Sequence, residues 1–415
     1  MVTASCAPVA QWIEQDGPNV KAGGSIPSGG AFWTLMNDFL LTESELRARG
    51  GHKWRKYPPE VLPAFVADLD FKVAPAVQSA FARFVAYQDY VYGAPADLDA
   101  LYAAFAQWMT RRHGWTPDPA LTTATTDVVQ GVAATLIAYS APGEGIIVQT
   151  PAYPPFLRVV DGTARHLVEN PLLLAGRYTL DVDGLRAAAP YGRVILLCSP
   201  HNPTGRVFER DELRQIASIA EEHDLTIVSD EIHADITYDA ARHIPMETIC
   251  PERTVTLTSA TKSFNIPGAR AALVHFGSAV LKERFDKAFP EHLLGRPSRF
   301  GVDATIAAWS DSEAWFHDVM QHLARNRALV AEWVTSRNGI GHVPPEATFL
   351  AWLDCRELDL PGSPYEFFLE SAKVALGDGR DFGGPGAGHV RLNFGTSKEI
   401  LSEILARMSH ALDEI

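Results

Sequence analysis

Residues 258–270 read TSATKSFNIPGAR and place one lysine among small, hydroxylated and apolar side chains. Within this segment Lys262 has no acidic residue that could pair with its ammonium group. An amine with little compensating charge has a lowered pKa and becomes a good nucleophile. The pattern therefore predicts a lysine that forms a covalent bond to a carbonyl, rather than a lysine that only makes a surface ion pair.

Two more reactive side chains stand beside short apolar runs. Asn202 follows RVILLCS, Asp230 ends LTIVSD, and Lys262 follows TVTLTS. These runs are short, rich in β-branched residues and bounded by turn residues, which is typical of buried parallel strands. Ligands bind beyond the carboxyl ends of such strands. We therefore expect an amide, a carboxylate and an amine to meet in one crevice.

The chemistry that needs this set is Schiff-base catalysis on pyridoxal 5′-phosphate (PLP). The lysine bonds to the cofactor's carbonyl carbon, and the carboxylate keeps the ring nitrogen protonated so that the ring accepts electrons. An amide can donate to the phenolic oxygen of the ring. Read singly, Asn202 could be a turn residue, Asp230 a helix cap and Lys262 an ordinary surface lysine.

A phosphate group needs its own ligands. Ser259 and Arg270 flank the lysine, and a hydroxyl and a guanidinium can converge on one phosphate. The segment TTDVVQGVAATLIAY reads as a loop that enters a helix, so the backbone amides of Asp127, Val128 and Val129 would point at an anion. The carboxylate of Asp127 is an awkward neighbour for a phosphate, although it could cap the helix instead.

The elements that must position these residues indicate an α/β fold. The chain has 415 residues, 47% of them apolar, and from about residue 73 helix-like stretches alternate with short apolar runs. This predicts a large PLP-binding domain over residues 73–289 with a doubly wound sheet. We expect residues 31–72 and 290–415 to form a smaller α+β domain, and residues 1–30 to be a loosely ordered arm.

Composition excludes several classes of protein. The net charge of −14 and the pI of about 5.4 argue against nucleic acid and anionic membranes as partners. No run approaches the ~18 apolar residues that a membrane span needs. Four cysteines without CxxC spacing and an N-terminus unlike a signal peptide favour a cytoplasmic protein. No His/Cys cluster has metal-binding spacing, so we predict no metal.

Taken together, these motifs resemble those of the fold-type I PLP enzymes, the aminotransferase class I/II superfamily. SPHNPTG, SDEIHADI and SATKSFNIPGAR occur in that family's order and spacing, and the likeness runs from about His52 to the end of the chain. KWRKYP, VADLDF, RRHGW, PAYPPF and PEATFLAWLDCR look like markers of its cystathionine β-lyase-like C–S lyase branch.

The resemblance implies three further site residues. Tyr153 would stack on the ring face, His233 would lie beside the cofactor, and Arg391 would bind the substrate α-carboxylate. Without the family we would not choose Arg391 over Arg356, and Tyr153, His233 and Arg391 could each have a purely structural role. The family also implies a mostly parallel seven-stranded sheet and a homodimer with a shared active site.

The leading hypothesis is a PLP-dependent C–S β-lyase acting on a cysteine-derived amino acid. The histidine three residues after Asp230 favours the lyase branch. The branch, however, usually has a tyrosine where Ala94 stands, and Tyr90 or Tyr92 could replace it. An aminotransferase or another amino-acid-modifying PLP enzyme is therefore the alternative. A ligand-sensing domain of a transcription regulator is a third possibility, but no DNA-binding domain is recognisable before the match.

Overall fold

The structure is a computed structural model that describes residues 39–290 and 293–415. The predicted arm over residues 1–30 lies outside these ranges. Residues 39–415 cluster into one compact unit. The predicted division of the chain near residues 72 and 290 stays a prediction.

The strands of the described residues are β1 (Leu62–Pro63), β2 (Thr122–Thr125), β3 (Gly145–Thr150), β4 (His166–Pro171), β5 (Leu173–Leu174), β6 (Tyr178–Thr179), β7 (Gly192–Cys198), β8 (Thr226–Asp230), β9 (Thr254–Thr258), β10 (Ala272–Phe276), β11 (Gly341–His342), β12 (Leu350–Asp354), β13 (Val374–Ala375), β14 (Gly377–Asp378) and β15 (His389–Asn393).

The α-helices of the same ranges are α1 (Glu43–Ala48), α2 (His52–Arg55), α3 (Pro75–Tyr87), α4 (Pro95–His113), α5 (Val128–Tyr139), α6 (Pro154–Gly162), α7 (Val182–Ala188), α8 (Arg210–Glu222), α9 (Ala279–Ala288), α10 (Arg299–Asp311), α11 (Glu313–Thr335), α12 (Pro364–Glu370) and α13 (Lys398–Asp413). None of these helices is long and apolar enough to cross a membrane.

The central layer is a seven-stranded sheet in the order β2-β10-β9-β8-β7-β3-β4. Strand β10 is antiparallel to both of its neighbours, and the remaining pairs are parallel. Strands β3 and β9 are buried along their whole length, because helices cover both faces of the sheet. The predicted α/β fold with a mostly parallel seven-stranded sheet is confirmed.

The C-terminal region carries a second sheet of four strands in the order β11-β12-β15-β14. Its central pair, β12 and β15, is antiparallel and places Trp352 opposite Arg391. Strand β1 pairs with β13 in parallel, so a segment near residue 62 packs beside the C-terminal region. Further along the same segment, the carbonyl of Phe71 accepts from Nδ2 of Asn265, which lies in the loop after β9.

The long helical region predicted over residues 302–334 is present as two helices, α10 and α11, which are separated at Ser312. One local prediction was wrong. The helix predicted over residues 365–376 ends at Glu370. Lys373 has a φ of +55°, which a continuing helix does not allow, and the next two residues leave to pair with β1. In both cases apolar spacing alone did not reveal the break.

Candidate active site

Three adjacent strands of the large sheet deliver the predicted reactive groups to one place. Asp230 is the last residue of β8, while Asn202 and Lys262 lie in the loops that follow β7 and β9. All three line one cavity of about 390 Å³. The predicted residues that line it are Asp127, Val128, Val129, Tyr153, Asn202, Asp230, His233, Lys262 and Arg270. The predicted convergence of amide, carboxylate and amine therefore occurs in the structure.

Lys262 points towards a segment that is distant in sequence. Its Nζ donates to the carbonyl oxygen of Ala67 at 2.8 Å and lies 3.8 Å from Oδ1 of Asp68. The side chain is 18% exposed, and burial lowers the pKa of Lys262 while the Asp68 carboxylate partly opposes that effect. The amine is therefore easier to deprotonate than an ordinary lysine. The sequence did not reveal Asp68 as its spatial neighbour.

The loop that carries Lys262 is held on both sides of the lysine. The Ser259 hydroxyl donates to the carbonyl of Ala271 at 2.6 Å, and the amide of Thr261 donates to the Ser259 oxygen at 3.1 Å. The Ser263 hydroxyl donates to Asp235 at 2.9 Å. Ser259 is not among the residues that line the cavity. Its predicted phosphate contact stays a prediction, and the structure gives it a loop-bracing contact.

Asp230 is a buried carboxylate with little local compensation. It is 3% exposed and accepts one hydrogen bond, from the amide of Ile232 at 3.0 Å. Within the described residues no lysine, arginine or histidine forms an ion pair with it. Burial raises the pKa of Asp230 to about 7. A cationic ring nitrogen in the cavity would give this carboxylate the partner that the protein does not supply.

Arg391 lies in strand β15 of the four-stranded sheet and contacts Asn202. It donates to Oδ1 of Asn202 at 2.9 Å and to the carbonyl of Phe65 at 2.8 Å, and its guanidinium lies 5.0 Å from the centre of the Phe382 ring. Its Nε has no hydrogen-bond partner, and burial lowers the pKa of Arg391 to about 10. No carboxylate of the described ranges forms an ion pair with it. The guanidinium is thus a buried cation without an anion.

The rival arginine is already engaged. Arg356 pairs with Asp354 through an Nη2–Oδ2 distance of 2.6 Å, and 59% of its side chain is exposed. Sequence could not separate the two arginines, because each stands beside an apolar stretch of the C-terminal region. Burial without a carboxylate partner distinguishes Arg391.

The start of helix α5 also lines the cavity. Oδ1 of Asp127 accepts from the amide of Gln130 at 2.8 Å and so caps the helix, as the sequence allowed. Oδ2 of Asp127 lies 2.5 Å from Nη2 of Arg270, whose side chain is 60% exposed. This pair neutralises the carboxylate that would otherwise repel a phosphate. Val128 and Val129 lie in the first helical turn, where free amides attract anions.

Two further predicted residues form parts of the wall. Tyr153 immediately precedes helix α6, and burial raises the pKa of its hydroxyl. His233 is 3% exposed, its Nδ1 has no hydrogen-bond partner, and burial lowers its pKa to about 3. The imidazole is therefore neutral at physiological pH. The stacking role of Tyr153 and the cofactor contact of His233 stay predictions.

Sequence reasoning missed part of the wall and left one question open. Cys198 is buried and also lines the cavity, and Ala67 contributes its carbonyl. Tyr90 and Tyr92 are 61% and 101% exposed and line a different cavity of about 640 Å³. Within this single chain neither tyrosine lines the Lys262 cavity. That Tyr90 or Tyr92 takes the place of the tyrosine expected at position 94 stays a prediction.

Comparison with known proteins decides the family. Residues 66–408 match the family described as aminotransferase class I and II. The chain belongs to this family. It is 31% identical over 371 residues to the cystathionine beta-lyase of Corynebacterium glutamicum, covering 89% of this chain and 98% of that protein. It is also 30% identical over 361 residues to the cystathionine beta-lyase PatB of Bacillus subtilis, covering 85% and 93%.

The chain is also similar in structure to a solved protein. The PLP-bound C-S lyase from Staphylococcus hominis superimposes with a TM-score of 0.83 at 27% identity, covering 91% of this chain and 98% of that one. The predicted resemblance to fold-type I enzymes, with C–S lyases among the matching proteins, is confirmed. The roles of individual residues remain to be argued from their geometry.

Proposed function

We propose that this chain is a PLP-dependent carbon–sulfur β-lyase that cleaves a cysteine-derived amino acid, such as cystathionine, to a thiol, pyruvate and ammonia. The cofactor and the enzyme class follow from the family and from relatives that are named cystathionine beta-lyase or PLP-bound C-S lyase. The substrate, the elimination products and the residue roles below are our proposal.

The donor set of the cavity fits PLP. A partly buried amine, a buried carboxylate and an amide surround a volume of about 390 Å³, within the range of ~300–1,000 Å³ typical of small-molecule sites. The start of α5 and the guanidinium of Arg270 lie on the wall as anion-binding groups. Lys262 would hold the cofactor, Asp230 would face its ring nitrogen, and Asn202 would face its phenolic oxygen. When bound, PLP supplies an electron sink for the carbon that loses its proton.

The observation that carries the proposal is the unpaired Arg391 beside Asn202. A buried guanidinium without a carboxylate is costly, unless an anionic ligand completes it. The α-carboxylate of an amino acid is such a ligand, and a bidentate contact would orient the substrate. Fixing the substrate in this way lets Lys262 take the proton from Cα, and orientation of this kind contributes several kcal/mol to catalysis.

The elimination then needs only Lys262 as a proton carrier. The amine accepts the Cα proton, a double bond forms between Cα and Cβ, and the Cβ–S bond breaks with its electrons on sulfur. The resulting ammonium of Lys262 can return that proton to the thiolate. The three-carbon remainder hydrolyses to pyruvate and ammonia.

The choice of lyase over aminotransferase rests on the relatives and on His233. In the family resemblance, the histidine three residues after Asp230 favours the lyase branch, and burial lowers the pKa of His233 to about 3, so it is a neutral group in the wall. The homodimer with a shared active site and the cytoplasmic location stay predictions. Among residues 39–290 and 293–415 no group of three or more His, Cys, Asp or Glu residues could hold a metal. The prediction that no metal is needed is not tested by this finding.

A substrate panel tests the proposal. Purified protein with PLP would be given cystathionine, cysteine, aryl-cysteine conjugates and common α-amino acids, and thiol and keto acid would be measured together. We expect equal amounts of thiol and pyruvate from the sulfur-containing compounds. A keto acid that retains the full carbon skeleton, formed with no thiol, would establish an aminotransferase. The absence of product from every compound would reject both readings.

A further inference from the structure

The segment VADLDF carries two carboxylates with different surroundings. Asp70 is buried and accepts from Nζ of Lys53 at 2.7 Å and from Nε1 of Trp54 at 2.7 Å. Asp68 is 33% exposed in its side chain, and Lys262 is its ion-pair neighbour within the described residues, with Nζ 3.8 Å from Oδ1. Asp70 therefore has a structural role, whereas Asp68 lies next to Lys262.

The backbone around Asp68 is held by groups of the active site. Arg391 donates to the carbonyl of Phe65 at 2.8 Å, and Nδ2 of Asn393 donates to the carbonyl of Asp68 at 2.8 Å. Lys262 donates to the carbonyl of Ala67 at 2.8 Å. The Asp68 carboxylate is thus carried on a backbone with fixed anchors. A fixed charge stabilises an ion without the cost of reorganising around it.

The same short segment contacts two cations, Arg391 and Lys262. Arg391 lies at Phe65, and the ammonium of Lys262 lies at Ala67 and Asp68, two to three residues further along. An α-amino acid whose carboxylate binds Arg391 has an ammonium group two bonds away from that carboxylate. This ammonium must come close to Lys262, because it replaces the lysine nitrogen on the cofactor.

We propose that the carboxylate of Asp68 and the carbonyl of Ala67 form an ammonium-binding corner of the active site. The corner holds the Lys262 ammonium whenever the lysine is free. It receives the incoming α-ammonium of the substrate when the lysine nitrogen is bonded to the cofactor. The substrate half of this inference rests on the proposed function, whereas the lysine half rests on the contacts of this chain alone. No bond is made or broken by Asp68.

The first experiment uses the full chain without added cofactor. The rate at which trinitrobenzenesulfonate modifies Lys262 would be measured by peptide mass spectrometry between pH 6 and 10. Because a carboxylate favours the charged amine, Asp68→Asn should raise the labelling rate at pH 7 by about 3–10-fold. Asp211→Asn removes the same charge from a side chain that is 89% exposed and should leave the rate unchanged. Equal rates in all three proteins would overturn the lysine half.

The second experiment uses the PLP-loaded enzyme and reads whichever product the substrate panel reveals. Asp68→Asn should raise KM for the amino acid by about 10-fold, more than it lowers kcat, and Asp68→Glu should restore part of the affinity. An unchanged KM in Asp68→Asn would overturn the substrate half. If the product is not a thiol, the lyase proposal fails. The labelling result and the KM comparison still decide whether the ammonium corner exists.

Discussion

Two sets of buried polar groups lie near the end of strand β8, and they differ in how many partners each group has. In the first set, the rear network, the carboxylate of Asp235 accepts from Trp108 at 2.9 Å, His113 at 3.1 Å and Ser263 at 2.9 Å. The carboxylate of Glu231 accepts from His243 at 2.8 Å, and also from Ser229 and from the amide of Met246. Both carboxylates are buried and have several donors each.

In the second set, the front set, Arg391, Asp230 and His233 have far fewer partners. Within the described residues Arg391 has no carboxylate partner, Asp230 accepts from a single backbone amide, and Nδ1 of His233 has no hydrogen-bond partner. These three groups are buried nearly as deeply as the carboxylates of the rear network. The difference teaches that the rear network stabilises the fold, whereas the front set is left incomplete for a ligand. Variants can test that contrast, because front changes should alter chemistry and rear changes should alter stability.

The largest effect should come from Lys262→Ala. Because Lys262 is proposed both to hold the cofactor and to carry the proton, its loss should lower turnover by roughly 10³-fold or more, with little change in the melting temperature. Absorbance spectra and borohydride reduction with peptide mapping would measure cofactor attachment. Cofactor attached at another lysine of the wild-type protein would disprove the assignment of Lys262.

Arg391→Met should strongly lower activity without lowering stability. Removing the guanidinium takes away the proposed carboxylate partner, so kcat/KM should fall about 10²–10³-fold. Removing an unpaired buried charge should leave the free energy of unfolding unchanged or higher. Steady-state kinetics and urea unfolding would give both numbers. Arg356→Met, at the exposed arginine paired with Asp354, is the control and should retain kcat/KM.

A change in the rear network should lower stability. Asp235→Ala leaves three buried donors without an acceptor and should lower the free energy of unfolding by about 3–5 kcal/mol. Asp68→Ala, on the cavity side, should change it by less than about 1 kcal/mol because the side chain is partly exposed. Urea unfolding of the two variants compares the regions directly. A larger loss in Asp68→Ala would contradict the contrast.

The smallest expected effect concerns the pH dependence of the cofactor-free chain. Asp230 has a folded pKa of about 7, against about 3.9 in an unfolded chain. Between these values the folded chain keeps a proton that the unfolded chain has lost, so stability falls as pH rises. From pH 5 to 8 the wild type should lose about 2.6 kcal/mol more than Asp230→Asn. Parallel pH series of urea unfolding would show the same slope for both proteins if Asp230 titrates normally.

Much of the site could be predicted from local sequence. Asn202, Asp230 and Lys262 each follow or end a short apolar run, and parallel strands bring such ends to one edge of the sheet. The capping role of Asp127 was also foreseeable from residue type. Arg391 became a candidate only through the family resemblance, because its burial and its missing anion depend on packing against the other sheet.

The sequence by itself determined the strand and helix pattern of the large sheet, the reactive residues at its strand ends and the family. These features are encoded locally, in apolar runs and in the residues that end them. Only the tertiary structure decided that Asp68, rather than Asp70, faces Lys262, and that Arg270 neutralises Asp127. The reason is physical: which charge meets which depends on segments far apart in the chain, and burial determines whether a charge is paired by the protein or left for a ligand.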